Sequence, residues 1–336
     1  MMKSRKSIVH YIGIAMLSVV VALMAAWATL AIYYSNLSGG FLRPGLAGLF
    51  ALATVSAFFF LPKRGRTLAW FVPVFTVVVI WWMIIPASNT RNWQAEVARA
   101  PYATIEGDFI TIHDIRNFNY RTETDFDAVY YDRTFDLTKL DSADLIAVYW
   151  AGDAIAHIMM SFGFNGKDFI TFSIETRKEQ GEDYSTIKGF FKQYELIYIV
   201  GDERDLIRVR TDYRNPQEDV YLYRFGARPK RVREVFMAYI RQINSMKERP
   251  EWYNTLTTNC TTNVIHLMRA TGGRATYNWK VILSGYAPQY AYEFGALETR
   301  IPFDELKRRS HINPKAHEVG NDPEFSQKIR ENLPLP

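Results

Sequence analysis

Hydrophobic positions divide the chain near Ala87: before it they run almost unbroken, and after it they alternate with polar and charged residues. Three apolar runs in the first part, Ile8 to Tyr34, Gly45 to Leu61 and Thr67 to Ile85, predict transmembrane helices. The second is close to the shortest helix that crosses a ~30 Å hydrocarbon layer at about 1.5 Å per residue. Ala26-Trp27-Ala28 resembles a cleavage site, but its run outlasts the apolar core of a signal peptide and two more spans follow. Pro73 inside the third span is tolerable in lipid, where it can kink the helix. Residues 1–88 therefore read as a membrane anchor.

Residues 89–107 form a polar linker, with Asn89 to Pro101 expected to lie amphipathically near the membrane surface. Strand patterns dominate the next domain, 108–300. They cover Phe109 to Ile112, Leu145 to Trp150, Ile155 to Phe164, Phe169 to Thr176, Tyr194 to Val200, Leu206 to Arg210 and Val220 to Phe225. Asn165-Gly166 between two of them is the strongest short signal for a hairpin, so the strand bearing His157 should pair antiparallel with Phe169–Thr176. A helix follows from Pro229 to before Pro250. Its apolar residues Val232, Val235, Phe236, Tyr239, Ile240, Ile243 and Met246 recur at the spacing of one buried face. A second helix begins around Thr258-Asn259-Cys260 and stops at Gly272-Gly273. The tail, 301–336, is polar, charged and Pro-containing, and reads as surface-wrapped or loosely ordered. The fold class is α+β: three membrane helices, then an antiparallel-sheet domain.

Charge adds an orientation. Lys3, Arg5 and Lys6 precede the first span and Lys63, Arg64 and Arg66 join the second to the third, whereas Ser35–Pro44 carries only Arg43. The positive-inside rule then puts the N-terminus in the cytoplasm and the large domain outside, in the periplasm if the membrane is a bacterial inner membrane. Trp81 and Trp82 suit the outer interface. The formal net charge of +5 is small and dispersed; it suits anionic lipid, and no nucleic-acid-binding signature is present.

Cys260 is the single cysteine, so no intrachain disulfide can form. A buried structural thiol is the simplest reading of a lone cysteine. Its neighbours Thr257, Thr258, Asn259, Thr261, Thr262 and Asn263 are polar, however, and suit the start of a helix, where free amides and the dipole favour thiolate. There Cys260 can act as a nucleophile, with Asn259 and Thr261 supporting the helix start or an oxyanion. Among possible bases, His266 lies about 240° round the same helix from Cys260. His311 and His317 sit in the tail, and His113 lies near the domain entrance. His157 interrupts the apolar strand Ile155–Met160 and is the leading candidate. Across the hairpin, Ser173 or Glu175 faces it, depending on register, with Glu175 the better partner for an imidazolium. No Cys/His/carboxylate spacing fits a metal and no glycine loop fits a phosphate, so no cofactor is expected.

Four separated blocks resemble the bacterial family of the Lnb N-terminal periplasmic domain, over roughly Ile105 to Leu283. They are Ile112–Phe118, Ile155–Phe164, Ser173–Glu179 and Tyr253–Asn263, the last containing Thr257-Thr258-Asn259-Cys260. The resemblance implies a membrane-associated protein that moves an acyl chain from phospholipid to the N-terminus of a lipoprotein through an enzyme thioester. The order His157, then Asn259-Cys260, also resembles permuted papain-like enzymes such as NlpC-type peptidases and the lecithin:retinol acyltransferase group. Two other functions fit the residues: a cysteine amidase or peptidase acting on cell-wall peptides or proteins, and a non-enzymatic membrane-tethered assembly protein. Phospholipid or lipoprotein and the membrane are the expected partners; the residues leave oligomeric state open.

Overall fold

The structure, a computed structural model, describes residues 2–336 except Ser38, Ala151 and Arg274. The side chains of residues 2–7 and of Arg64 also lie outside the description, and with them the basic groups of Lys3, Arg5, Lys6 and Arg64 used to predict orientation. The chain forms two units, 1–87 with 185–193, and 88–184 with 194–336.

The first unit contains α1 (Met2–Tyr33), α2 (Leu42–Phe60) and α3 (Arg64–Met83). All three are long and apolar enough to cross a membrane, as Ile8–Tyr33, Leu42–Phe60 and Gly65–Met83. Ala28 and Ala31 of α1 are fully buried, as expected where small side chains let helices approach closely. Trp27 packs edge-on against Phe75 and Trp82 of α3, at 5.9 and 5.3 Å. The segment 185–193 belongs to this unit. Its Phe191 stacks on Tyr34 at 5.6 Å, and Lys192 Nζ donates to the carbonyls of Trp82 and Met83 at 3.0 and 2.9 Å. Those carbonyls end α3 and have no partner within the helix, so a lysine there satisfies both their hydrogen bonding and the helix dipole.

The second unit is built on a sheet. Its strands are β1 (Tyr102–Glu106), β2 (Phe109–Arg116), β5 (Tyr130–Asp136), β6 (Leu140–Tyr149), β7 (Ala156–Phe164), β8 (Asp168–Arg177), β9 (Glu195–Gly201) and β10 (Asp219–Arg224). A small ribbon, β3 (Asn119–Tyr120) with β4 (Phe126–Asp127), stands apart. The main order is β1-β2-β9-β8-β7-β6-β10, with β5 on β2. Pairing is antiparallel except for one parallel contact, Arg116↔Gly201. Asn165 and Gly166 make the β7–β8 turn with φ of 52° and 60°, the left-handed pair that a two-residue hairpin requires.

Side chains alternate across the sheet, so each face has its own core. One face packs Ile158, Met160, Phe162 and Phe172 under α5 (Pro229–Glu248) and α6 (Cys260–Ala270). The buried stripe of α5 contains every residue its sequence spacing predicts. The other face packs Val148, Met159, Ile197 and Ile199 against residues from α4 (Glu203–Leu206) and the chain's end. The remaining helices are α7 (Trp279–Ile282), α8 (Ala287–Glu293), α9 (Phe303–Arg309), α10 (Asn313–Val319) and α11 (Phe325–Lys328).

Three expectations are corrected. Leu206–Arg210 is not a strand. The Asp202 carboxylate accepts the Arg204 amide at 3.0 Å and starts α4, and a wide helical turn, Val209–Tyr213, follows. The capping aspartate outweighs the β-branched residues. Residues 89–107 are not a free linker: Trp93 and Val97 are buried in the second core and Tyr102–Glu106 is a strand. The tail is not loosely ordered, because Ile312, Ala316, Phe325 and Ile329 complete that same core. Its charge is also used inside, since Arg330 Nη1 and Nη2 donate to Glu203 at 2.7 and 2.6 Å and Nε to Asp144 at 2.9 Å.

Candidate active site

Cys260 is the first residue of α6, and the sequence around it folds as a capping box. The Asn259 side chain accepts the Thr262 amide at 2.9 Å, and Thr262 Oγ1 accepts the Asn259 amide at 2.8 Å. Asn259 Nδ2 donates to Thr255 O at 2.7 Å. The Asn259 side-chain carbonyl oxygen and one of its two Nδ2 protons are thus occupied in holding the helix start. Thr261 Oγ1 lies 3.8 Å from the sulfur.

The sulfur meets the sheet beside His157. Pairing of β7 with β8 ends at Met159↔Ser173, although β8 continues along β9 to Arg177. In the notch beyond that last pair, the Ile158 amide lies close enough to the Cys260 sulfur to favour its charged form. The nitrogen of Ile158 is bonded to the carbonyl carbon of His157, so the thiol sits one peptide unit from the His157 backbone. No hydrogen bond joins sulfur to imidazole. The two side chains approach the notch from different sides: Cys260 packs with the α5–α6 core, whereas His157 pairs across the strand with Val148 of the other core.

His157 is joined to both sequence candidates on β8. Its Nε2 lies 2.7 Å from Ser173 Oγ, which donates to Glu175 Oε1 at 2.7 Å; His157 Nε2 and Glu175 Oε1 are 3.8 Å apart. A carboxylate only accepts, so the Ser173 proton belongs to Glu175 and Ser173 Oγ must accept from the imidazole. Nε2 therefore carries the proton, and Nδ1, which makes no hydrogen bond to the described residues, keeps its lone pair. Arg210 Nη2 donates to Glu175 at 3.3 Å, and its Nη1 to Leu206 O at 2.8 Å. This backing was invisible in sequence because Arg210 was read on a strand; the signal available was the capping Asp202 that starts a helix there.

Protonation follows from burial. Burial, helped by the positive charge of Arg210, lowers the His157 imidazole to about 3. Burial alone would raise the Glu175 carboxyl, but Arg210 and His157 hold it well below the ordinary carboxylate range. Burial pushes the Cys260 thiol up, against the opposing pull of the Ile158 amide, the Thr261 hydroxyl and the amides of Thr261 and Cys260. The helix start thus fails to make the resting thiolate that its position predicts, because enclosure costs the charge more than the amides return. The resting pair is a neutral thiol and a neutral imidazole. Tyr239, within electrostatic range of Cys260, is 1% exposed, and its hydroxyl has no hydrogen-bond partner among the described residues.

Beside the sulfur lies a cavity of about 270 Å³. Ile158 and Thr261, which flank Cys260, line it together with side chains of α5, α6 and α8. Ala287, Tyr290 and Ala291 of α8, in the stretch Gly285–Tyr292, form part of its wall. Gly285 fixes that stretch to the start of β7: a Cβ there would fall 2.0 Å from Asp153 O. Among the described residues no cluster of three or more His, Cys, Asp or Glu is arranged to hold a metal.

His113, the other strand histidine, pairs with Asp132 at 2.7 Å, and His311 with Asp219 at 3.2 Å. His317 contacts Thr211 O at 2.7 Å, and His266 is exposed on α6. None of these shares a hydrogen bond with Cys260.

No curated protein and no solved structure matches the chain. The family described as the Lnb N-terminal periplasmic domain matches residues 126–286, the segment that holds His157, Ser173, Glu175 and Cys260. Residues 126–286 are thus similar to a Lnb N-terminal periplasmic domain, in a chain that also carries three helices long and apolar enough to cross a membrane.

Proposed function

We propose that this protein is a membrane-anchored thiol acyltransferase that takes its acyl group from a phospholipid ester through a thioester on Cys260. The observation that carries the reading is the meeting of the Cys260 sulfur with β7 at the amide next to His157, whose Nδ1 is left as a lone pair by the Ser173–Glu175 chain.

The chemistry begins from neutral partners. As the sulfur attacks the ester carbonyl, the thiol proton passes to His157 Nδ1 through the notch where β8 no longer pairs with β7, a transfer that requires side-chain rotation to bring the two groups within reach. Charge separation thus occurs only when the new C–S bond stabilises it. The imidazolium formed is stabilised through Ser173 by Glu175, which Arg210 keeps ionised. Negative charge on the carbonyl oxygen is met by amides at the start of α6 and by the unpaired Tyr239 hydroxyl. Collapse breaks the ester C–O bond, and the leaving alkoxide recovers the proton from His157. An amine acceptor, such as a lipoprotein N-terminus, then attacks the thioester. His157 accepts the amine proton and returns it to the departing sulfur, restoring the resting thiol. The N-terminal anchor supports this role by raising the effective concentration of a lipid substrate. The positive-inside pattern supports a cytoplasmic N-terminus with the catalytic domain in the periplasm of a bacterial inner membrane.

Intact-mass analysis of the full chain, incubated in phospholipid nanodiscs without acceptor amine, tests the reading. We expect one acyl increment on the wild type and none on Cys260→Ser. Wild-type protein that stays unmodified through prolonged incubation with ester donors, while correctly folded, overturns it.

A further inference from the structure

We infer that the cavity along α6 holds the acyl chain of the donor, and that Met268 sets the chain length accepted. The inference rests on the acyl-transfer reading and adds a place and a measure for the fatty chain.

The cavity has a near end and a far end. Ile158 and Thr261, on either side of the sulfur, mark the near end. Along α6 the wall continues through Val264 and Ile265 to Met268. Seven residues of helix from Thr261 to Met268 amount to roughly 10 Å. The opposite wall runs the same way. Ile158 pairs with Ala147, Met160 with Leu145 and Phe162 with Ala143, so the lining residues Ile158, Met160, Leu145 and Ala143 also lead away from the thiol. Both walls thus describe a tunnel that begins between Ile158 and Thr261, next to the sulfur, and ends near Ala143 and Met268.

Its lining suits hydrocarbon and little else. Among the described residues Arg231 is the only charged one in the wall, and its Nη2 donates to Met268 O at 2.8 Å. A peptide substrate would need hydrogen-bond partners along such a path, whereas an acyl chain needs none. At the side, α7 turns Val281 into the cavity and leaves Trp279 and Ile282 exposed. These exposed apolar groups stand beside the tunnel and are the place for a fatty chain to enter. Gly273 closes the far end tightly, since a Cβ there would meet Met268 O at 2.6 Å. Met268 is then the adjustable element, a flexible side chain at the end of the path.

Two measurements on the full chain in nanodiscs decide the matter. The first is independent of chemistry: Cys260→Ser protein is exposed to a fatty acid carrying a photoreactive diazirine, and labelled peptides are mapped. Labelling is expected on 261–268 and 287–294, and it should be lost in Cys260→Ser/Met268→Trp. Labelling that avoids these segments, or that Met268→Trp leaves unchanged, overturns the inference whatever the fate of the thioester. The second compares acyl-Cys260 formed from phospholipids of graded chain length. Met268→Trp should move the preference to shorter chains and Met268→Ala to longer ones, by roughly tenfold or more in relative rate. Adducts that form with the same length profile in both variants would refute the tunnel while leaving the nucleophile intact. Absence of any wild-type adduct, with labelling still confined to the tunnel, would instead remove the catalytic reading alone.

Discussion

The two faces of the central sheet solve the same problem of burial by opposite means. Beneath α5 and α6 the contacts are aromatic and aliphatic, with Phe162, Phe172, Phe236 and Tyr239 in mutual ring contact at 5.0–5.9 Å. On the other face, apolar packing shares space with buried ions: Arg330 with Glu203 and Asp144, Arg116 with Asp205, and Arg210 with Glu175. The difference assigns the labour of the candidate site. The apolar side offers a thiol and a dry cavity; the ionic side holds the imidazole and fixes its tautomer. The two meet where β7 and β8 part. Under the proposed acyl transfer, proton chemistry would draw on the nearby charge and ester binding on the hydrocarbon, with the sheet between them.

Variants on each side should therefore fail differently. The largest loss is expected for His157→Ala, about 10²–10⁴-fold in the rate of acyl-Cys260 formation. Its chain-length preference should be unchanged, as read by donor competition. Arg330→Ala should act on stability instead, by about 3–5 kcal/mol, because buried Glu203 loses its cationic partner and buried Asp144 is left with Arg224 alone. Urea unfolding of the full chain measures it. Tyr239→Phe separates catalysis from packing. Removing an unpaired buried hydroxyl should leave stability equal or higher, while oxyanion support falls and the acylation rate drops on the order of 10²-fold. An unchanged rate would assign Tyr239 to the core alone. Glu175→Gln should cost roughly ten- to a hundredfold, less than the ~10⁴-fold expected for a carboxylate touching the imidazole, because Ser173 stands between them.

The smallest effect is in pH. With His157 lowered to about 3 against an ordinary value of about 6.5, the unfolded chain binds a proton across that window that the folded chain does not. Stability then falls as pH drops below about 6.5, and it levels out only near the folded value. Glu175, held low, adds its own loss further into acid, below the ordinary glutamate range. Unfolding midpoints at pH 7 and pH 5 should therefore lie closer together in His157→Asn than in wild type. Equal gaps would show that the imidazole is not held neutral by its surroundings.

Sequence revealed those parts of the molecule whose order is local. The α5 stripe, the Asn165-Gly166 hairpin and the capping pattern before Cys260 each depend on neighbours within a few residues, and each forms as expected. The bond of His157 to a β8 partner followed from the hairpin, although register left Ser173 and Glu175 as alternatives where the structure uses both in series. What escaped detection depends on distant charge. Arg330 reads as a surface residue until Glu203 and Asp144, far away in sequence, are known to be buried beneath it. Arg210 likewise reads as one polar position in a strand until the Asp202 cap and the Glu175 carboxylate bend its segment into a helix. The state of Cys260 was misjudged for a related reason: the amides at a helix start are visible in sequence, and the enclosure that opposes them is not.

The excursion 185–193 bears on any attempt to prepare the outer domain without its membrane helices. These residues are threaded between β8 and β9, yet Phe191 rests on Tyr34 and Lys192 on the carbonyls that end α3. A truncation at Ser88 would deprive an aromatic ring and an ammonium group of their partners and leave a sticky finger on the fragment. Joining Tyr184 to Tyr194, whose rings already stack at 6.0 Å, through a short glycine-containing bridge would remove that finger where the chain ends are close.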